Sequence, residues 1–421
     1  MDLDDDEILY ESDDDEDILL NGGFGGSFFT EDDVEKFCNG MKHVVLPPGV
    51  PHLPLNLGEA SHGKLTASQW HALYVFIIPL VICEIYITDV GSIDLRSNRY
   101  KFLANTAQLV QCTNVVFARR FKQADLRRFE MHYKKYSDSV GELFEGIKVQ
   151  PNHHFALHTT QQMSGWGPLA GVAEFPGERL IGFLQKINTN NKIDEMHRSM
   201  MTRGCRLQCL MANSDYKELA NVLGNEEPQR GRQTKSILLC SSIYTMLFDL
   251  VARGDRLVVR RGTFPVPRHC WVLSVLAIPI RSISCDGVVV GSMSPRNCVV
   301  ANVAGKIRYG LVRQCYRYKD GLGEEKEFLV LSTITNVYPK RMDPCRTRPF
   351  RYLLFLFGMV VGRVEDDEEL ILPSQVVSLA AYRLLDDKMF SIPKNGIALI
   401  PHGHDAFLNI AGHDGQTCRF I

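Results

Sequence analysis

No two of the twelve cysteines form a Cys-x-x-Cys pair, and the nearest couple, Cys205 and Cys209, is spaced by one helical turn. That argues against a structural zinc site built from cysteines alone. Basic residues are almost missing from the first 36 positions, which hold 15 Asp or Glu and only Lys36. A secretory signal needs a basic start, so the cysteines, scattered from Cys38 to Cys418, are expected to be reduced intracellular thiols. No internal repeat is visible, which excludes a repeat array. The apolar run from Trp70 to Tyr86 falls short of the roughly 20 residues that span a bilayer, and Pro79, Glu84 and His71 interrupt it. It reads as a helix buried within protein, and no membrane is expected among the partners.

What is present suits a folded chain. An apolar share of 45% over 421 residues is ample for a sizeable core and allows one to three domains. The net charge of −2 hides an asymmetry: after Lys36, 46 basic residues stand against 34 acidic ones, an excess of 12. Such a body is compatible with polyanionic partners, although the basic residues are scattered.

Residues 1–35 combine runs of Asp and Glu with the glycine-rich stretch 21–27, and so read as a disordered acidic tail. Residues 36–211 read as a helical domain. Phe102, Leu103, Leu109, Val110, Val116 and Phe117 recur at helical intervals, and Leu126, Phe129, Tyr133, Tyr136 and Val140 repeat the pattern. Pro151 suits a first helical turn, with Phe155, Leu157 and Met163 as the apolar side and Gly165, Gly167 and Pro168 as the stop. A second helix is expected from Pro176. Residues 212–250 read as a linker followed by a helix, 251–405 as a β-rich domain and 406–421 as a tail. Seven short β-branched or aromatic runs, the last from Tyr352 to Val364, predict a small barrel or sandwich. The fold class is therefore α+β.

The chemistry concentrates in the stretch 150–190. His154 and His158, at i and i+4, would lie on one helical face and could present two imidazoles to one zinc ion, or could be hydrogen-bonded structure; His153 offers a second spacing. Glu178 opens the expected second helix beside Arg179, where a carboxylate is favoured by the helix dipole. Arg119, Arg120, Lys122, Arg127 and Arg128 form one basic cluster, and Lys340, Arg341, Arg346 and Arg348 a second; both are candidate DNA contacts or plain solubilising charge.

In their order along residues 45–205, several blocks resemble the end of the catalytic core of CACTA-type (En/Spm-like, fungal Plavaka-type) DNA transposases. They are Leu53-Pro-Leu-Asn-Leu-Gly-Glu-Ala-Ser-His-Gly-Lys-Leu65 with Ala67-Ser-Gln-Trp70, Pro151-Asn-His-His154 with Ala156-Leu-His158, Trp166-Gly-Pro168, Phe175-Pro-Gly-Glu-Arg179 and Asn188-Thr-Asn190. The resemblance implies a remnant of an RNase H-like core. It also implies Glu178 as the third acid of a triad that holds Mg²⁺ or Mn²⁺, Arg179 in support, and the His pair as half of a zinc site. Strand transfer by two metal ions needs several carboxylates, and no strand-borne aspartates stand upstream of Glu178, so this chain is expected to lack cleavage chemistry and a cofactor of its own. DNA and a transposase or chromatin protein are the implied partners, and the nucleus the implied location, with a cytoplasmic pool as the alternative. The rival reading is a nuclear protein-interaction module carried by the β-rich domain.

Overall fold

The computed structural model describes residues 30–54, 65–118, 120–144, 151–169, 193–212, 235–285, 287–339 and 347–403. The expected acidic tail up to residue 29, most of the linker, the expected helix at Pro176 and the residues beyond 403 lie outside them.

Helix α1 (Glu31–Met41) starts where the Thr30 hydroxyl accepts from the Asp33 N–H and the Asp33 carboxylate accepts from the Thr30 N–H, a reciprocal cap. Helix α2 (Ala67–Tyr86) is long and apolar enough to cross a membrane by length and composition, yet 56% of its apolar window is buried inside the protein. Its second turn, Leu73–Ile77, is a π turn in which the Ile78 N–H reaches the Leu73 carbonyl. Pro79 has no N–H to return to the preceding turn, and widening the helix there absorbs the missing bond. Helix α3 (Asn98–Val116) and helix α4 (Gln123–Leu143) lie side by side.

Helix α3 is less amphipathic than its apolar spacing predicts. Asn105, Thr106, Gln108 and Gln111 are buried along with Leu103, Ala107 and Val110, because helices surround it on several sides. Each buried amide has a partner: Asn105 Nδ2 donates to the Tyr136 carbonyl at 3.1 Å and to Ser139 Oγ at 2.8 Å, Gln111 Nε2 donates to the Leu356 carbonyl, and Gln108 Oε1 meets His132 Nδ1. Phe117, read as apolar face, is exposed.

The stretch from Pro151 forms two short helices rather than one: α5 (Pro151–Ala156) and α6 (Thr159–Trp166). Met163 is fully buried as expected, but Phe155 and Leu157 point to solvent at 62% and 57% exposure. Gly167, with φ 87°, ends α6, while Gly165 lies within it. Helix α7 (Ile193–Ala212) follows, and α8 (Ser241–Gly254) comes after the two-residue strand β1 (Ile237–Leu238).

The β region contains the short parallel pair β2 (Val258–Val259) and β3 (Trp271–Val272), then β4 (Leu276–Ile280) and the hairpin β5 (Ser282–Cys285) and β6 (Val288–Gly291). The long strands are β7 (Cys298–Val303), β8 (Lys306–Lys319), β9 (Glu325–Asn336), β10 (Val360–Ile371), β11 (Val376–Leu384) and β12 (Gly396–His402). Their antiparallel order runs β8, β7, β11, β12, β10, β9 and returns to β8, so six strands close a barrel; β4 and β1 extend from the far end of β8. The molecule is thus α+β, and of the two expected β architectures the barrel is the one formed. The run read as a strand from Tyr352 is largely helical. Helix α9 (Arg348–Phe357) buries Phe350, Leu353, Leu354, Leu356 and Phe357, and Gly358 ends it in the left-handed conformation at φ 65°.

Alternation decides what each strand residue touches. One set, drawn from all six strands and including Cys298, Val300, Leu311, Ile334, Val360, Ala380, Tyr382, Ile397 and Leu399, forms a single buried cluster that fills the barrel. The opposite set faces outward and is covered. Val361, Ala381, Ala398 and Ile400 share a core with α1, α2, α3 and α9, the hairpin β5–β6 covers Val299, Ala301, Leu329 and Leu331, and α8 covers Tyr316, Phe328 and Val330. The acidic segment 365–369 lies in β10 at a bulge after Val364, mostly exposed, with Arg363 forked onto Glu365.

Candidate functional site

Helix α4 is the platform for the predicted His corner. Its Phe129 and Tyr133 rings stack at 5.6 Å, and Met163 from α6 inserts beside them and Leu126. The Tyr133 hydroxyl donates to the His153 carbonyl at 2.7 Å, and Thr160 Oγ1 donates to Glu130 Oε1 at 3.0 Å. These contacts hold α5 and α6 onto one face of α4.

The joint between the two helices is tight. The Leu157 N–H donates to the His154 carbonyl and the His158 N–H to that of Phe155, so the chain makes a three-residue turn before His158 takes the N-cap position of α6. His154 and His158 still converge, with their Nε2 atoms 3.4 Å apart and both rings exposed. Two imidazole nitrogens bound to one tetrahedral zinc, each about 2.05 Å from it, stand about 3.3 Å apart. The pair therefore has the spacing of one edge of a tetrahedron. His153 is turned away, its ring edge-on to Tyr136. Among the described residues no third His, Cys, Asp or Glu joins the pair, and Cys205 and Cys209, exposed on α7, do not complete it. Among the described residues this corner thus brings together two of the four side chains that a tetrahedral zinc would need.

Glu178, Arg179 and Arg119 lie outside the described residues, as do Lys340, Arg341 and Arg346. The rest of the first basic cluster surrounds the start of α4. Asp125 Oδ2 accepts from the Lys122 N–H at 2.8 Å, and its Oδ1 pairs with the half-buried guanidinium of Arg128, so Arg128 braces the helix start. Arg120, Lys122 and Arg127 present exposed side chains nearby, and Arg348 is exposed at the first turn of α9.

Two features of the junction between helices and barrel escape a reading of periodicity. His71 at the start of α2 lies 4.2 Å from the Phe117 ring, and His402 at the end of β12 lies 5.7 Å from Phe76. Burial lowers the His71 pKa to about 4, with His402 adding to the effect, and burial lowers His402 as well. At the other end of α2, Glu84 pairs with Arg383 of β11, the arginine side chain being 7% exposed. The signal for this pair was Glu84 itself, an acid inside an apolar helix, which requires a partner when buried.

No family model matches the chain. No curated protein and no solved structure matches it either.

Proposed function

We propose that this chain is the carboxy-terminal portion of a CACTA-type transposase, in which a helical piece of an RNase H-like core is joined to the barrel. In this reading it binds DNA or a sibling transposase chain, in the nucleus, and does not cut DNA alone. The observation that carries the reading is the convergence of His154 and His158 at 3.4 Å, at the place in the motif order where the family's zinc site lies. Zinc, when bound, would cross-link this corner to whatever chain supplies the remaining ligands. Arg120, Lys122 and Arg127 on the adjoining face would meet phosphate.

Cleavage by the family's chemistry needs a pair of metal ions held by several carboxylates, and Glu178 is the single acid that the motif order assigns. Incubation of the purified chain with Mg²⁺ and terminal-repeat DNA is expected to leave the DNA intact. Nicking that disappears in Glu178→Gln would show a complete active site and overturn this part.

The rival reading, a protein-interaction module on the barrel, is favoured by two apolar side chains left in solvent on its turns, Met293 at 79% and Leu322 at 87% exposure. Partner binding that is insensitive to salt and lost in Met293→Ser would support the rival, since phosphate contacts weaken steeply as salt rises.

A further inference from the structure

The connection between β2 and β3 carries a surface that the transposase reading does not use. Five arginines, Arg253, Arg256, Arg260, Arg261 and Arg268, lie within sixteen residues, and the positions from Arg260 to His269 are all exposed. Two carboxylates accompany them, and both are engaged: Asp255 accepts from Trp271 Nε1 and from the Leu257 N–H, each at 2.8 Å, and Asp249 pairs with Arg260 at 3.1 Å. A third nearby acid, Asp320, pairs with Lys326 at 2.7 Å. The surface is therefore cationic.

Its base is rigid. The Arg260 guanidinium lies 4.7 Å over the Phe248 ring, and the Arg261 N–H donates at 2.8 Å to the Tyr244 hydroxyl, which itself donates to the Leu273 carbonyl at 3.2 Å. Turn bonds from Thr263 to Arg260 and from Cys270 to Pro267 pinch the loop at both ends. At its tip Phe264 is 93% exposed, the most exposed large apolar side chain among the described residues, and Pro265 and Pro267 stiffen the backbone that presents it. A ring so fully in water contributes almost nothing to folding. A ring stiffly presented between guanidinium groups is instead a stacking platform with phosphate-neutralising charge on either side.

We infer that this loop docks single-stranded nucleic acid, with Phe264 stacking on an unpaired base and Arg256, Arg261 and Arg268 contacting phosphates. A convex aromatic tip reaches base faces only where the bases are unstacked, which favours a single strand over a duplex. The surface is distinct from the α4 cluster, so the inference stands whether or not the helical half derives from a transposase.

The test is fluorescence anisotropy of the full chain with a dye-labelled oligothymidylate, the matching duplex, and vesicles of phosphatidylserine. The single strand is expected to bind more tightly than the duplex. Phe264→Ala should weaken binding about tenfold with an unchanged salt slope, and Phe264→Trp should restore it. Arg256→Ala, Arg261→Ala and Arg268→Ala together should lower the slope of log affinity against log salt by about 2, at about 0.7 per phosphate contact. Thermal melts of these surface variants should coincide with that of the parent. The inference falls if Phe264→Ala binds like the parent, or if duplex binds as well as single strand. It also falls if binding is lost in Arg120→Ala/Arg127→Ala instead, or if Phe264 matters for vesicles and not for oligonucleotide.

Discussion

Buried amides on α3 lock neighbouring elements together only while each keeps its partner. Gln111 is 2% exposed and donates to the Leu356 carbonyl in the last turn of α9, so Gln111→Ala strands a buried carbonyl. The expected loss is about 1–3 kcal/mol, measured by urea denaturation. His132 is a second case. Burial holds its pKa down to about 4, with the positive charges of Lys135 and Arg128 adding to the effect. An unfolded histidine titrates near 6.5, so the unfolded state binds the extra proton between about pH 6.5 and pH 4. The stability tied to the neutral ring is fully present above pH 6.5 and is lost as the pH falls toward 4. His71, also lowered to about 4 by burial, contributes in the same direction. Denaturation midpoints should therefore drop between pH 7 and pH 4.5, and His132→Asn should flatten that drop; an unchanged slope in the variant would refute the assignment.

At the scale of elements, α9 shows how local reading can fail. Tyr352-Leu-Leu-Phe-Leu-Phe357 is continuously apolar and aromatic, which suits a buried strand as well as a buried helix. What decides for the helix is Pro349 in its first turn and Gly358 just past its end, together with a core that takes Phe350, Leu353, Leu354 and Phe357 from one face. Leu353→Ala, at a fully buried position, should cost about 2–5 kcal/mol, and Gly358→Ala about 1 kcal/mol through its left-handed backbone. Near-equal costs for the two would argue against this packing. Helices α3 and α4 were legible because their apolar spacing runs over several turns. The His corner was legible as a spacing, but the break between α5 and α6 was not. Nothing in Phe155-Ala-Leu157 reveals that α4 accepts Met163 and leaves Phe155 and Leu157 in water. Strands β11 and β12 were missed because β11, buried on both faces through six successive residues, lacks the alternation that marks a half-buried strand.

For the whole molecule, the helices and the barrel share one continuous core across β10, β11 and β12. The Arg383–Glu84 pair lies at that junction, at 7% and 27% side-chain exposure. Removing only the acid leaves a guanidinium buried without its counter-charge, so Glu84→Gln should destabilise by about 3 kcal/mol, while Glu84→Met with Arg383→Met should recover much of the loss. Far-ultraviolet and near-ultraviolet circular dichroism are expected to report a single coincident urea transition. Two separated transitions would mean that the helical half folds apart from the barrel. Whether the strands form a barrel or a sandwich could not be read from the chain, because closure depends on β8 pairing with both β7 and β9, and no local pattern records which distant strand meets which.

Ring closure also bears on how the protein behaves when crowded. Every long strand of that sheet has both lateral neighbours supplied from within, and its open edge is short, formed by the two residues of β1 and by Ile278–Ile280 of β4 beyond it. On that sheet a foreign peptide therefore finds little template for adding itself as a further strand, and copies of the chain find little of it to zip together into fibrils. Association should proceed through side chains and charge, and remain reversible on dilution.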